Sequence, residues 1–278
     1  MLNIIKSDLF RFLRGKTIYI ILLVIIFLNV ISVVSMTTPN IGISIGNSGI
    51  VDINDTELLQ RLSEAKSIGE YRDIMKSQGN YELDKAIIGQ NSNLYYFFIA
   101  VVVVVLCADF SNKSIKNTLS SAISKRKYYF SKLILIMGIG TVIVLFNNYF
   151  SYFLNIAVNG ENFASSLTDF TKLTFMQLPL LYGAISLLLC FAFVFRKTSA
   201  FNTISIPFIM VVQLIGMAII NLFKLKGDFF NYEIQMALSN LALNPSSDYI
   251  VKCILLGVAY IIVFNVIGYY AFKKSEIK

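Results

Sequence analysis

The chain has 278 residues, of which 56% are hydrophobic and only 14% charged, with a formal net charge of +8. Ordinary soluble domains carry about 25% charged residues, so these charges are too few to cover a water-facing surface around so much apolar material. Histidine is absent, which excludes imidazole acid–base chemistry and imidazole metal ligation.

Apolar residues come in blocks, and several reach the roughly 20 residues that a bilayer crossing requires. Residues 1–16, MLNIIKSDLFRFLRGK, place Leu2, Ile5, Leu9 and Leu13 on one helical face, with Lys6, Arg11 and Arg14 as the basic part. This is the pattern of an amphipathic helix lying in the headgroup region. A first span is expected from Thr17 to Met36. It is longer than a signal-peptide core and has no small-x-small cleavage site after it, so it reads as a retained span. Residues 37–93 form a long polar insertion, with a helix expected over Thr56–Gln78, Asp55 as its cap, and glycines marking turns around it. The next spans are expected at Leu94–Ala108, Leu133–Ala157, Leu173–Phe195, Ala200–Phe223 and Tyr249–Phe272. The Val101–Val105 run inside the second span has strand-like composition, but a backbone in lipid must satisfy itself as a helix. A helix is also expected within residues 224–248, over Asn231–Leu243. No repeat or linker divides the chain, so residues 1–278 read as a single transmembrane domain.

Charge orients these spans. With the N-terminus inside, the inner segments are residues 1–16, 109–132, 196–199 and 273–278, and they hold 15 of the 24 basic residues against three acidic ones, Asp8, Asp109 and Glu276. Basic residues concentrate on the cytoplasmic side of membrane proteins. The reading is therefore a multi-pass protein of the plasma membrane with both termini cytoplasmic. The same asymmetry accounts for the whole net charge without a nucleic-acid partner.

No catalytic constellation is legible. Gly15-Lys16-Thr17 resembles the end of a phosphate-binding loop, but Phe10 stands where the loop needs glycine and no strand precedes it. No acidic residue is expected deep within a span, which argues against an ion-coupled carrier. Cys107, Cys190 and Cys253 stand apart in apolar blocks, with no metal-ligand or disulfide spacing. The expectation is no enzyme, no metal and no cofactor bound by this chain. Polar residues within spans include Asn29, Asn147, Asn148, Asn155, Gln177, Gln213 and Asn265. Helix–helix hydrogen bonding is their ordinary role, worth about 0.6–2 kcal/mol each. The adjacent pair Asn147 and Asn148 points further, to a wet groove or an interface.

The stretch DFSNKSIKNTLSSAISKRKYYFSKLI, Asp109–Ile134, is the most informative. Ser111 or Ser114 is placed to cap a short helix running to about Ser121, and Ser124 to cap a second helix that enters the third span. An acidic residue after the second span, then Lys113-Ser114-Ile115-Lys116-Asn117, then Leu119 to Lys125, then Lys132, resembles the permease subunits of ABC-2 type transporters. The small permeases of Gram-positive peptide-export and bacteriocin-resistance systems are similar, including those that export phenol-soluble modulins. The sequence departs from that pattern at Asp109, where Glu is more usual, and at Lys113 and Ala122, where Gly is common.

The resemblance implies an all-α integral membrane fold of ABC-2 exporter type. It would have six transmembrane helices, an N-terminal amphipathic interface helix, a cytoplasmic coupling helix and extracellular helices within residues 224–248. It implies a separate ATPase subunit that binds ATP and Mg, and a second copy of the permease or a paralogue. Ser111, Lys113, Ser114, Lys116, Asn117 and Ser121 would couple to the ATPase. Asp109, Lys125, Arg126 and Lys127 would set the loop at the membrane boundary. Asn29, Asn147 and Asn148 would lie on a translocation path for amphipathic or antimicrobial peptides. Two other readings remain open: an ATP-independent immunity or sensor protein, and an ABC exporter of a lipid, glycan or ion.

Overall fold

The computed structural model describes residues 1–35, 74, 88–120, 123–161, 164–223, 232–243 and 246–275. Most of the 37–93 insertion, including all of the expected Thr56–Gln78 helix except Ile74, lies outside the described residues, as do Ser121 and Ala122. Every described element is a helix. The elements are α1 (Leu2–Arg14), α2 (Lys16–Ser35), a 3₁₀ turn at Gln90–Asn93, and α3 (Leu94–Val102). A π-helical segment at Val103–Cys107 leads from α3 into α4 (Ala108–Ser111). Then follow α5 (Ser114–Ser120), α6 (Lys125–Asn159), α7 (Leu167–Phe195), α8 (Thr198–Phe223), α9 (Ile234–Leu243) and α10 (Ser247–Lys274).

Five apolar segments are long enough to cross a membrane: Lys16–Val34, Asn91–Ser111, Lys125–Asn159, Leu167–Phe195 and Ser247–Lys274. In α8, Thr198–Val212 is a shorter apolar run. Helix ends follow local capping chemistry. The Ser124 hydroxyl accepts from the Lys127 amide at the start of α6, as the sequence predicts. Ser166 and Ser246 do the same for α7 and α10. The π segment takes up the valine run, where β-branched side chains crowd an ordinary helical turn. One extra residue per turn widens the helix there.

Helices α7 and α10 form the tightest pair, and glycine sets their approach. A Cβ on Gly257 of α10 would stand 2.4 Å from the carbonyl carbon and oxygen of Pro179 in α7. A Cβ on Gly183 would stand 3.0 Å from Tyr260 Cβ. Small residues at such crossings let backbones meet in lipid, where dispersion replaces the hydrophobic effect as the driving force. Helix α9 is inserted beside this pair, and Ala237, Leu238, Leu241 and Ala242 are fully buried. Most of α2 presents apolar side chains outward, Tyr19, Ile20, Leu23 and Phe27 among them. The four aromatics Tyr95–Phe98 divide by helical period: Tyr95 and Phe98 are buried in the core, whereas Tyr96 is exposed.

Helix α1 and the end of α10 lie at the same end of the bundle. α1 packs on the start of α6, and Lys125 at that start donates to the carbonyls of Lys273 and Ser275. Replacing Gly257 by Leu should force α7 and α10 apart and cost about 1–3 kcal/mol or more by overpacking. Gly138→Ala, where a Cβ meets nothing within 4 Å, should leave stability unchanged or raise it. Thermal unfolding of both variants in the same detergent checks this contrast.

Candidate functional site

Two polar assemblies interrupt the apolar bundle, one at each end. The first lies where α1, α4 and α6 meet. Lys132, 1% exposed, places its ammonium 2.6 Å from Asp8 Oδ2 and 2.5 Å from Asp109 Oδ2, and donates to Val105 O at 2.8 Å. An ammonium has three donors, and all three are used. Arg11 Nη1 donates to Asp109 Oδ1 at 2.7 Å, while Nη2 lies 3.1 Å from Asp8 Oδ1 and donates to Val105 O at 3.2 Å. Asp109 also accepts from Tyr128 Oη at 2.8 Å and from Ser114 Oγ at 3.3 Å. Each of its oxygens therefore receives two donors.

Two carboxylates and two cations make the cluster neutral as a whole. Such balance is what allows charge in a low-dielectric setting. Burial pushes the Asp8 carboxyl above its usual range, and the Lys132 ammonium only partly opposes it. An aromatic layer lies alongside: the Tyr128 ring is tilted against Phe272 with centroids 5.7 Å apart, and Phe272 sits 4.9 Å from Phe193.

The helix of the second span runs on through Asp109 to Ser111, so Asp109 does not end the helix at a loop. It is 5% exposed and bound on every side. Its partners are Asp8, which the sequence shows only as a charge of the amphipathic segment, and Lys132, which it shows as the lysine leading into the third span. Glu233, read as part of an outer loop, is also buried, and its carboxylate accepts from the Gln235 and Met236 amides at the start of α9.

The short helix α5 is suspended directly from this cluster through Ser114, its first residue. Its turn is made by Lys113 with φ of 56°, a left-handed conformation that suits glycine. The side chains of Lys113, Lys116 and Asn117 are exposed. Ser111 does not cap α5; its hydroxyl shares a 2.8 Å hydrogen bond with Thr198 at the start of α8. Of the basic run, Lys125 is tied to the end of α10, Arg126 lies 6.0 Å over the Phe130 ring, and Lys127 is exposed.

The second assembly is a network of amides near the opposite end. Asn29 Nδ2 donates to Asn147 Oδ1 at 2.9 Å, and Asn147 Nδ2 donates to Asn91 Oδ1 and Asn148 Oδ1 at 3.0 and 3.2 Å. Asn91 passes its donors to Asn148 and to Gln177 Oε1, and Asn148 donates to Thr174. Asn148, Asn91 and Gln177 are fully buried, whereas Asn147 and Asn29 line a groove between α2, α3 and α6. The structure thus brings together the three asparagines that the sequence singled out. It adds Asn91, which looked like part of a loop because it precedes the apolar block by three residues.

Among the described residues no group of three or more His, Cys, Asp or Glu side chains is placed to hold a metal ion. The three cysteines are free and buried. No family model, curated protein or solved structure matches the chain. The fold and the two polar assemblies define the class: a protein helical throughout its described elements, with the helices of an integral membrane protein and a neutral buried ion cluster at one end.

Lys132→Met would leave two buried carboxylates with Arg11 as their one cation and should cost about 3–5 kcal/mol. Adding Asp8→Asn should recover part of the loss, as read by thermal unfolding. Lys113→Gly should relieve the left-handed turn and raise stability by up to about 1 kcal/mol, with the α-helical circular-dichroism signal unchanged.

Proposed function

We propose that this chain is the permease subunit of an ATP-driven ABC exporter of ABC-2 type. In this reading it has six membrane crossings, both termini are cytoplasmic, and amphipathic or antimicrobial peptides are its cargo. What supports the reading is the position of α5. A short helix with exposed Lys113, Lys116 and Asn117 hangs from Asp109, and Asp109 is locked to α1 and α6 by buried charges. A force applied to α5 by a docked partner would reach three helices through contacts that do not yield independently. That is the requirement for turning a partner's ATP-driven closure into a rigid-body movement of the bundle.

The partner is a separate ATPase that supplies the nucleotide and Mg site. The transport unit contains a second copy of this chain or a paralogue, embedded in membrane lipids. The exposed face of α2 belongs to lipid or to that second copy. The amide network and its groove, near the end opposite α5, give the path a polar floor in an apolar wall. Reaction chemistry on the cargo is not part of the mechanism.

The test is affinity capture of the chain from detergent-solubilised native membranes, with mass spectrometry of what accompanies it. An ATPase in near-equal amount, lost when Lys113, Lys116 and Asn117 are each replaced by Asp, is the expected result. Recovery of the intact chain without any ATPase, under conditions that preserve a known ABC complex, would replace the exporter reading with the immunity or sensor reading.

A further inference from the structure

We propose that the groove between α2, α3 and α6 binds a single-chain amphiphile whose head group is uncharged and donates a hydrogen bond. The groove has a volume of about 350 Å³, within the range of roughly 300–1,000 Å³ typical of small-molecule sites. Val24 and Leu28 of α2 and Leu94 and Phe97 of α3 make its wall apolar, and Asn29, Ser32, Asn93 and Asn147 supply polar groups. Among the described residues no charged side chain lines it.

The head-group chemistry follows from the direction of the amide network. Asn29 spends both hydrogens of its Nδ2, one on Ile25 O and one on Asn147 Oδ1, each at 2.9 Å. Turning the amide over would set an oxygen against two oxygens, so its orientation is fixed. From Asn29 the donors run one way, through Asn147 to Asn91, Asn148 and Gln177. The free end of the chain is therefore Asn29 Oδ1, an acceptor that receives no donor from the described residues. Asn29 is 5% exposed as a residue and lines the groove.

A ligand hydroxyl or amide N–H at that point completes the chain, and hydrogen bonds linked in series polarise one another. A fatty carboxylate presents only acceptors to this oxygen and finds no cation among the described lining residues. A phospholipid brings an anionic phosphate with the same lack of a partner. The hydrocarbon of a single chain occupies the apolar wall, with its head at Asn29. The inference is independent of the exporter reading, because it concerns the purified chain alone.

The probe is monolaurin, a neutral lauroyl ester with free hydroxyls. The comparator is methyl laurate, which has the same chain and ester but no donor. Both are titrated against the full-length chain in nanodiscs, and binding is read by native mass spectrometry. We expect one monolaurin per chain and an affinity for methyl laurate at least tenfold weaker. Leu28→Trp, which fills the groove from the half-exposed α2 surface, should abolish binding without lowering the thermal midpoint. Asn29→Leu should erase the preference between the two esters. Equal affinity of the wild-type chain for both esters would overturn the donor requirement, and undiminished monolaurin binding to Leu28→Trp would overturn the site. The ester comparison on the wild-type chain needs no variant. If the ester preference holds while affinity capture finds no ATPase, the groove stands and the exporter reading falls.

Discussion

A charge placed inside an apolar helical bundle has to be answered on every side, and the ammonium of Lys132 is where this constraint is met. Its three hydrogens go to Asp8, Asp109 and the Val105 carbonyl. Each of those acceptors belongs to a different stretch of the chain or a different turn. The geometry works only with α1 docked against α6, and with the second span carried as a helix past its apolar block to Asp109. The π segment belongs to the same arrangement, because its Val105 carbonyl also takes a hydrogen bond from Arg11. Breaking such a pair from one side is costly, whereas the complete set adds little net stability. The cluster therefore contributes uniqueness of arrangement more than strength.

Strength comes from the apolar contacts, above all from α7 against α10. Gly257 lets the α10 backbone lie on Pro179, and Gly268 approaches Cys190 and the Tyr129 hydroxyl in the same way. Pro179 lacks an amide hydrogen, and a proline within a helix also displaces the preceding turn. A glycine facing it on the neighbouring helix accommodates that irregularity. The two helices thus form a rigid body against which α9 is inserted, with Glu233 satisfying the amides at its buried start.

The amide network shows how polar side chains within spans acquire a direction. An isolated asparagine in a helix back-bonds or faces another helix with no preferred sense. Here Asn29 bonds to Ile25 O on its own helix and to Asn147 on α6, and that pair of contacts sets the orientation of every amide downstream. Polarity is a property of the assembly: each amide's choice is made by the one before it, across four segments of the chain.

Much of the architecture is legible in the residues themselves. Apolar blocks of spanning length, basic segments between them, and the serine at Ser124 specify helices and their starts, because hydrophobicity and capping act within a few residues along the chain. The amphipathic character of α1 is legible for the same reason. Asp109 and Lys132 stand out as positions of a pattern, but nothing local shows that they pair with each other and with Asp8. Asn91 reads as a loop residue, and Glu233 as part of an outer segment. What decides their roles is which helices meet, and that depends on long-range packing: glycines at Gly183 and Gly257 that permit contact, and a π segment that turns Val105 toward two cations. Sequence alone determined a helical membrane-type chain with an exposed basic helix after the second span. Only the tertiary structure decided that this helix hangs from a neutral, fully bonded ion cluster, because the partners of a buried charge are chosen in space and not along the chain.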